Sequence, residues 1–164
     1  ATELAGLYSA VVSPDGSHVY GVDSARDALV VVNADDLTQR QLFKDGFDGV
    51  VGLAGAADVA ITPDGLQVLV AGNGGQTLAV FDRDPATGNL AFRAAFGDPA
   101  GDVFDVLAVD RTSTRVYASG SDGIALLVAI VARSGAIVWQ LGPDFGRTPE
   151  LRAIGQIIGR ITRI

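Results

Sequence analysis

One segment of this sequence occurs three times, and that repetition constrains the fold more than any other property. Ser9-Ala10-Val11-Val12-Ser13-Pro14-Asp15-Gly16-Ser17-His18-Val19-Tyr20 aligns without a gap on Asp58-Val59-Ala60-Ile61-Thr62-Pro63-Asp64-Gly65-Leu66-Gln67-Val68-Leu69, 49 residues further on. A third copy, Val106-Leu107-Ala108-Val109-Asp110-Arg111-Thr112-Ser113-Thr114-Arg115-Val116-Tyr117, follows after another 48. The same offsets bring Leu29, Leu78 and Leu126 into register, and likewise Val31, Val80 and Val128. A fixed period of this length marks an architecture in which each unit buries its apolar surface on the next.

Each unit reads as four short strands. The first covers Ala10 to Val12, Val59 to Ile61 and Leu107 to Val109; the second covers Val19 to Val22, Val68 to Ala71 and Val116 to Ser119. Between them stands Ser-Pro-Asp-Gly or Thr-Pro-Asp-Gly in two copies, where Pro presets φ and Gly accepts a positive φ. Small or polar turns follow, among them Gly72-Asn73-Gly74-Gly75. That cluster precedes a strand rather than a helix, which argues against a phosphate-binding loop. The third strand covers Ala28 to Asn33, Thr77 to Asp82 and Ile124 to Ala132; the fourth covers Arg40 to Phe43, Leu90 to Ala95 and Ala136 to Gln140. Strands of this length with regular turn signals predict an antiparallel all-β fold, and four per repeat predict a propeller-like arrangement.

Two stretches carry a family resemblance. Gly52-Leu53-Ala54-Gly55-Ala56-Ala57-Asp58-Val59-Ala60-Ile61-Thr62-Pro63-Asp64-Gly65 resembles the blade start of lactonase-type β-propellers. Leu78-Ala79-Val80-Phe81-Asp82-Arg83-Asp84-Pro85-Ala86-Thr87-Gly88-Asn89-Leu90 resembles their third strand and following hairpin, and Leu4-Ala5-Gly6 looks like another blade opening. The resemblance covers roughly residues 3–140. It implies a partial β-propeller of about three four-stranded blades, at about 1–48, 49–98 and 99–144, with a tail at 145–164. It is specific for fold and weak for activity, since such repeats serve unrelated functions.

Propellers that close alone have about four to eight blades. Three would leave two apolar sheet faces without a neighbour, so either copies of the chain associate into a ring or filament, or the chain is a fragment of a longer protein. A homo-oligomer formed through blade faces and the tail is the expected partner arrangement. In the tail, Thr148-Pro149-Glu150 reads as a helix start, and Leu151, Ile154, Ile158 and Ile161 recur at helical spacing, joined by Ile157 and Ile164. Gly155 and Gly159 oppose a helix. The repeat register places Ile157 where Val109 stands, so a first strand of a fourth blade is the competing reading. These six aliphatics and Trp139, on the outermost strand of the third blade, are the candidate interface residues. The tail would pack on its own body, dock on another subunit, or lie on a membrane surface, the last with little support in its composition.

Charge and composition exclude several partners. The net charge of −7 disfavours nucleic acid, since phosphates call for Lys and Arg. Arg147, Arg152, Arg160 and Arg163 against Glu150 give the tail +3, so the body carries −10, a separation that attracts a neighbouring copy. No apolar run is long enough to span a bilayer. Cys is absent, which rules out disulfides and thiolate metal sites and fits an extracellular or periplasmic protein. Ala1-Thr2-Glu3-Leu4 lacks signal-peptide character and an initiator Met, and reads as a processed or trimmed start.

No catalytic residue is expected. The resemblance to lactonases calls for Glu, His and Arg in a central channel, yet the chain has one His, His18, and two Glu, Glu3 and Glu150. His18 shares its repeat position with Gln67 and Arg115, a set that suits a solvated strand end. No cofactor is expected; the metal alternatives are calcium on Asp82, Asp84 and Asn89, against the plainer reading of an Asp/Asn-stabilised turn, and a metal on the connection carboxylates Asp45, Asp48, Asp98 and Asp102. Asp45, Asp48, Asp98 and Asp102 fall in blade connections, as turn caps or rim carboxylates. Phe43, Phe47, Phe81, Phe92, Phe96, Phe104 and Phe145 read as inter-sheet packing rather than a ligand box. The functional expectation is a non-catalytic repeat module acting in self-assembly or protein interaction. The alternatives are part of a lactonase-like hydrolase, or a face that binds glycans or peptides.

Overall fold

The computed structural model of the chain describes residues 6–97, 104–113, 115–119, 127–131 and 137–140. These form twelve strands: β1 (Ser9–Val12), β2 (His18–Asp23), β3 (Ala28–Asn33), β4 (Gln39–Lys44), β5 (Ala56–Ile61), β6 (Gln67–Gly72), β7 (Thr77–Arg83), β8 (Leu90–Gly97), β9 (Val106–Val109), β10 (Arg115–Ser119), β11 (Leu127–Val131) and β12 (Ile137–Gln140). They pair antiparallel, each with its sequence neighbour, into three four-stranded sheets: β1 to β4, β5 to β8 and β9 to β12. The candidate tail residues Leu151, Ile154, Ile157, Ile158, Ile161 and Ile164 lie outside the described residues, as do Asp98, Asp102 and Phe145. Trp139 stands on the edge strand β12, opposite Ala129.

The turns repeat in chemistry as well as position. Gly16 and Gly65 take left-handed φ values of 74° and 71°, and their N–H groups close the turn on Ser13 and Thr62. The hydroxyls of Ser13 and Thr62 donate to Asp15 and Asp64 at 2.6 Å. Each hydroxyl also accepts the N–H of the first residue of the next strand, His18 or Gln67, at 3.0 Å. In the third copy Ser113 occupies the glycine position and adopts φ 57°, a conformation that costs an L-residue about 1–2 kcal/mol. The register of the fold thus overrides local preference there.

Alternation along the strands sends successive side chains to opposite faces, so both faces of a sheet sandwiched between two others must be apolar. Tyr20, Val22, Leu29 and Val31 of the first sheet bury against Val59, Val68, Val70, Ala79 and Phe81 of the second. Phe81 sits between Phe43 and Phe92, with ring centroids 5.1 and 5.4 Å away in tilted and edge-on geometry. The other face of the second sheet, with Leu69, Ala71, Leu78 and Val80, packs on Phe104, Leu107, Val116 and Ala118. Phe43, Phe81, Phe92, Phe96 and Phe104 are therefore packing residues, as expected; Phe47 departs from that reading and is exposed.

The first sheet has one further face, turned away from the second. By strand register it carries Ala10, Val12, Val19, Gly21, Val30, Val32 and Leu42. Its centre is closed: Val30 and Val32 are buried, and the Leu7 side chain lies against Gly21, where a Cβ would meet it at 2.7 Å. Its flanks are open, with Val12 54% and Leu42 37% exposed.

Candidate functional site

The inner strands β1, β5 and β9 lie side by side, and one carboxylate ties them together. Asp58 accepts the Ser9 hydroxyl at 2.6 Å through Oδ1 and the Leu107 amide at 2.8 Å through Oδ2. Ser9, Asp58 and Val106 occupy the same repeat position, so the three strands present equivalent residues at one mouth of the assembly. An open cavity of about 930 Å³ forms there, lined by Tyr8, Ser9, Ser24, Gly55, Ala57, Asp58, Asn73, Gly74, Asp105 and Val106. The Asn73 amide donates to Asp105 across it, and the Tyr8 ring is 73% exposed at its edge. The loops beneath are fixed by two further carboxylates. Asp27 accepts the Gly55 amide at 2.7 Å and Asp45 the Leu53 amide at 2.8 Å, which makes Asp45 the connection cap expected of it. The lining combines hydrogen-bonded polar groups with apolar surface, with no His, Lys or Arg among its described residues.

The opposite end of the sheets holds a different constellation. Arg83, at the end of β7, extends a buried guanidinium into the first sheet. Its Nε donates to the Tyr20 hydroxyl at 2.5 Å, Nη1 to the Gly65 carbonyl at 3.1 Å and Nη2 to Asp15 at 2.6 Å. Tyr20 in turn donates to the Gly88 carbonyl at 2.9 Å. The Ser13 hydroxyl, then the Ser17 amide and Arg83, hold the Asp15 carboxyl well below the usual carboxylate range. Burial raises the Tyr20 phenol. Burial also works against the Arg83 charge, but its bonds to Asp15 and Tyr20 outweigh that and push its pKa up. This clamp joins two sheets at one point, and sequence reading did not find it. Arg83 falls opposite Ala34 in the repeat register, so no periodic signal marked it.

His18 belongs to this end as well, and here the structure corrects the expectation of a solvated strand end. The side chain is buried, because the β7–β8 hairpin of the second sheet seats Gly88 directly on its ring. Gln67, at the equivalent repeat position, is buried too. His18 therefore stands at the far end of the sheets from the cavity.

Each of the three calcium candidates is engaged by other protein groups. Asp82 pairs with Arg93 at 3.0 Å on the surface. Asp84 accepts the Ala86 amide at 2.9 Å and the Thr87 hydroxyl at 2.8 Å, and the Thr87 bond foremost lowers its pKa. Asn89 is reached by Arg40 of the first sheet at 3.4 Å. Among the described residues no group of three or more His, Asp or Glu gathers to hold a metal ion.

No protein-family model matches this sequence, and no curated protein matches it significantly. Solved structures do. The periplasmic gluconolactonase of Pseudomonas aeruginosa superposes with a TM-score of 0.69 at 22% identity, over 81% of this chain and 38% of that one. The WD40 repeats of RRP9 give 0.68 at 15% identity, over 84% and 39%. The fold is that of a β-propeller. A functionally unknown protein from Desulfotomaculum acetoxidans superposes at 0.65 and 19% identity, over 81% and 42%. The three sheets are thus arranged as propeller blades, and Asp58 lines the open cavity beside their inner strands. This chain spans about two fifths of the length of the propellers it matches. At such identities the likeness extends to the fold and no further.

Proposed function

We propose that this chain is a non-catalytic propeller-repeat module whose work is self-assembly, with the free face of its first blade covered by a blade of a second copy. One observation supports this above others. The second blade packs on the first through Val59, Ile61, Val68 and Val70, and the first blade carries Ala10, Val12, Val19 and Gly21 at the same repeat positions. Three of these four are apolar side chains, and the fourth is a glycine covered by Leu7. The face is thus written in the register of an interface the chain already makes, and Val12 and Leu42 flank it in the open. The charge separation between acidic body and basic tail favours the same occupant, with Leu151, Ile154, Ile157, Ile158, Ile161, Ile164 and Trp139 as further contacts in the assembly. Sedimentation velocity over a range of concentrations tests this. The unaltered chain is expected to sediment as an assembly, and the double variant Val12→Asp/Leu42→Lys as a smaller species. A chain that sediments singly at every concentration overturns the reading.

A second reading, part of a lactonase-like hydrolase or of a glycan- or peptide-binding face, is favoured by the open cavity with Asp58 and Asp105. Lactone turnover by the purified chain, abolished by Asp105→Asn but preserved in His18→Gln, would establish it in place of the first.

A further inference from the structure

We infer that His18 is a proton-sensitive latch between the first two blades, which holds the β7–β8 hairpin down when neutral and releases it when protonated. Three features of the site carry this. His18 is the sole histidine of the chain and is 8% exposed. Its Nδ1 is buried and is the one buried side-chain polar atom among the described residues without a hydrogen-bond partner. Gly88, the turn glycine of the hairpin at φ 71°, rests on the imidazole so closely that a Cβ there would collide with the ring.

The charged groups around the ring set the direction. Arg83 approaches from the end of β7 and Arg40 from β4, both cationic; Asp15, in the β1–β2 turn, is the facing carboxylate. Tyr20 on β2 is held neutral between Arg83 and Gly88. Asp15 is already committed to Arg83, Ser13 and Ser17, and Asp84 of the hairpin to Thr87 and Ala86. A proton on His18 would make both ring nitrogens donors, beneath a hairpin that offers Nδ1 no acceptor and beside a guanidinium whose side chain is 1% exposed. Burial foremost, then Arg40 and Arg83, hold the imidazole below its ordinary pKa. The cheapest relief is for the hairpin tip to lift, which breaks the Tyr20 bond to the Gly88 carbonyl and the 3.4 Å bond from Arg40 to Asn89, while the Gln41 bonds to the Leu90 backbone hold the base of the hairpin in place.

The repeat supplies the control. Gln67 fills the equivalent buried position in the second blade, so His18→Gln keeps a polar side chain there without a titrating group. Hydrogen exchange of the full chain, corrected for intrinsic rates, is compared at about pH 7.5 and about pH 5. Protection of the Asp84 and Gly88 amides, which close the hairpin on Asn89 and Asp84, is expected to fall about tenfold or more in acid. The matching Asn33–Thr38 hairpin of the first blade should not change, and His18→Gln should abolish the effect. An equal acid loss in His18→Gln overturns the latch, and so does unchanged protection in the wild type. Should His18→Gln fail to fold, imidazole titration by NMR in the wild-type chain decides. A pKa at or above 6.5 would mean that the folded state welcomes the proton and would rule the latch out.

Discussion

The second blade's covered face and the first blade's free face are the same surface met under two conditions. Val68 is fully buried against the first blade, whereas Val19, one repeat earlier, is partly exposed; Ile61 is partly buried and its counterpart Val12 open. The difference lies in the neighbour and not in the residue. Apolar burial is worth about 25 cal/mol per Å² removed from water, so the open flanks of a face that matches a covered one, at Val12 and Leu42, are a store of association free energy. The covered face adds what the free face has no partner for: polar bonds at one repeat spacing. Ser9 reaches Asp58, and Gln41 both donates to and accepts from the Leu90 backbone, at 3.0 and 2.7 Å. These bonds fix register where apolar contact alone would permit sliding.

The largest effect should come from the centre of the covered face. Phe81→Ala is expected to cost about 3–5 kcal/mol of stability in denaturant titration, because it empties the site between Phe43 and Phe92. Arg83→Ala comes next, at about 2–3 kcal/mol: it strips partners from the Tyr20 hydroxyl, the Gly65 carbonyl and Asp15, and the partial exposure of Asp15 keeps the figure below that of a fully buried pair. The matched pair Val68→Ala and Val19→Ala tests the comparison itself. The first should cost about 2 kcal/mol and the second about half as much in the lone chain, rising toward the first value in an assembly. Equal costs under both conditions would break the comparison. Ser113→Gly should change stability by less than about 0.5 kcal/mol, since relief of its left-handed backbone is offset by loss of the hydroxyl that accepts the Asp64 amide at 3.0 Å.

Acid acts on the covered junction through two groups, in the same direction. His18 is depressed below 6.5 in the folded state, so the unfolded chain binds its proton first, and stability falls as pH drops from about 6.5 toward the folded value. Asp15 is also depressed, so its contribution is complete above 3.8 and is lost at lower pH. Denaturation midpoints followed from neutral pH downward should therefore decline in two stages, and His18→Gln should remove the upper one.

Much of the fold was legible because the repeat carries its own turn chemistry. The Ser/Thr-Pro-Asp-Gly cores located both tight turns, and β3 began and ended where its residues predicted. Most other strands run a residue or two beyond expectation, because cross-strand pairing recruits flanking residues such as Ser9 and Asp23 that lack strand character. The functional ends were less legible. Asp58 bridges three blades, but in sequence it is one Asp among many at the start of a strand. Arg83 lies outside the periodic pattern, and His18 was read from a row of polar residues whose burial depends on a hairpin some 70 positions away. Local pattern specifies the blade; contacts across blades appear only once the blades are stacked.

Light scattering on the purified, unaltered chain tests the central claim most directly. Self-assembly through blade faces requires a particle mass that is an integer multiple, two or greater, of 16.8 kDa, and a stable soluble species of 16.8 kDa at every concentration would contradict it.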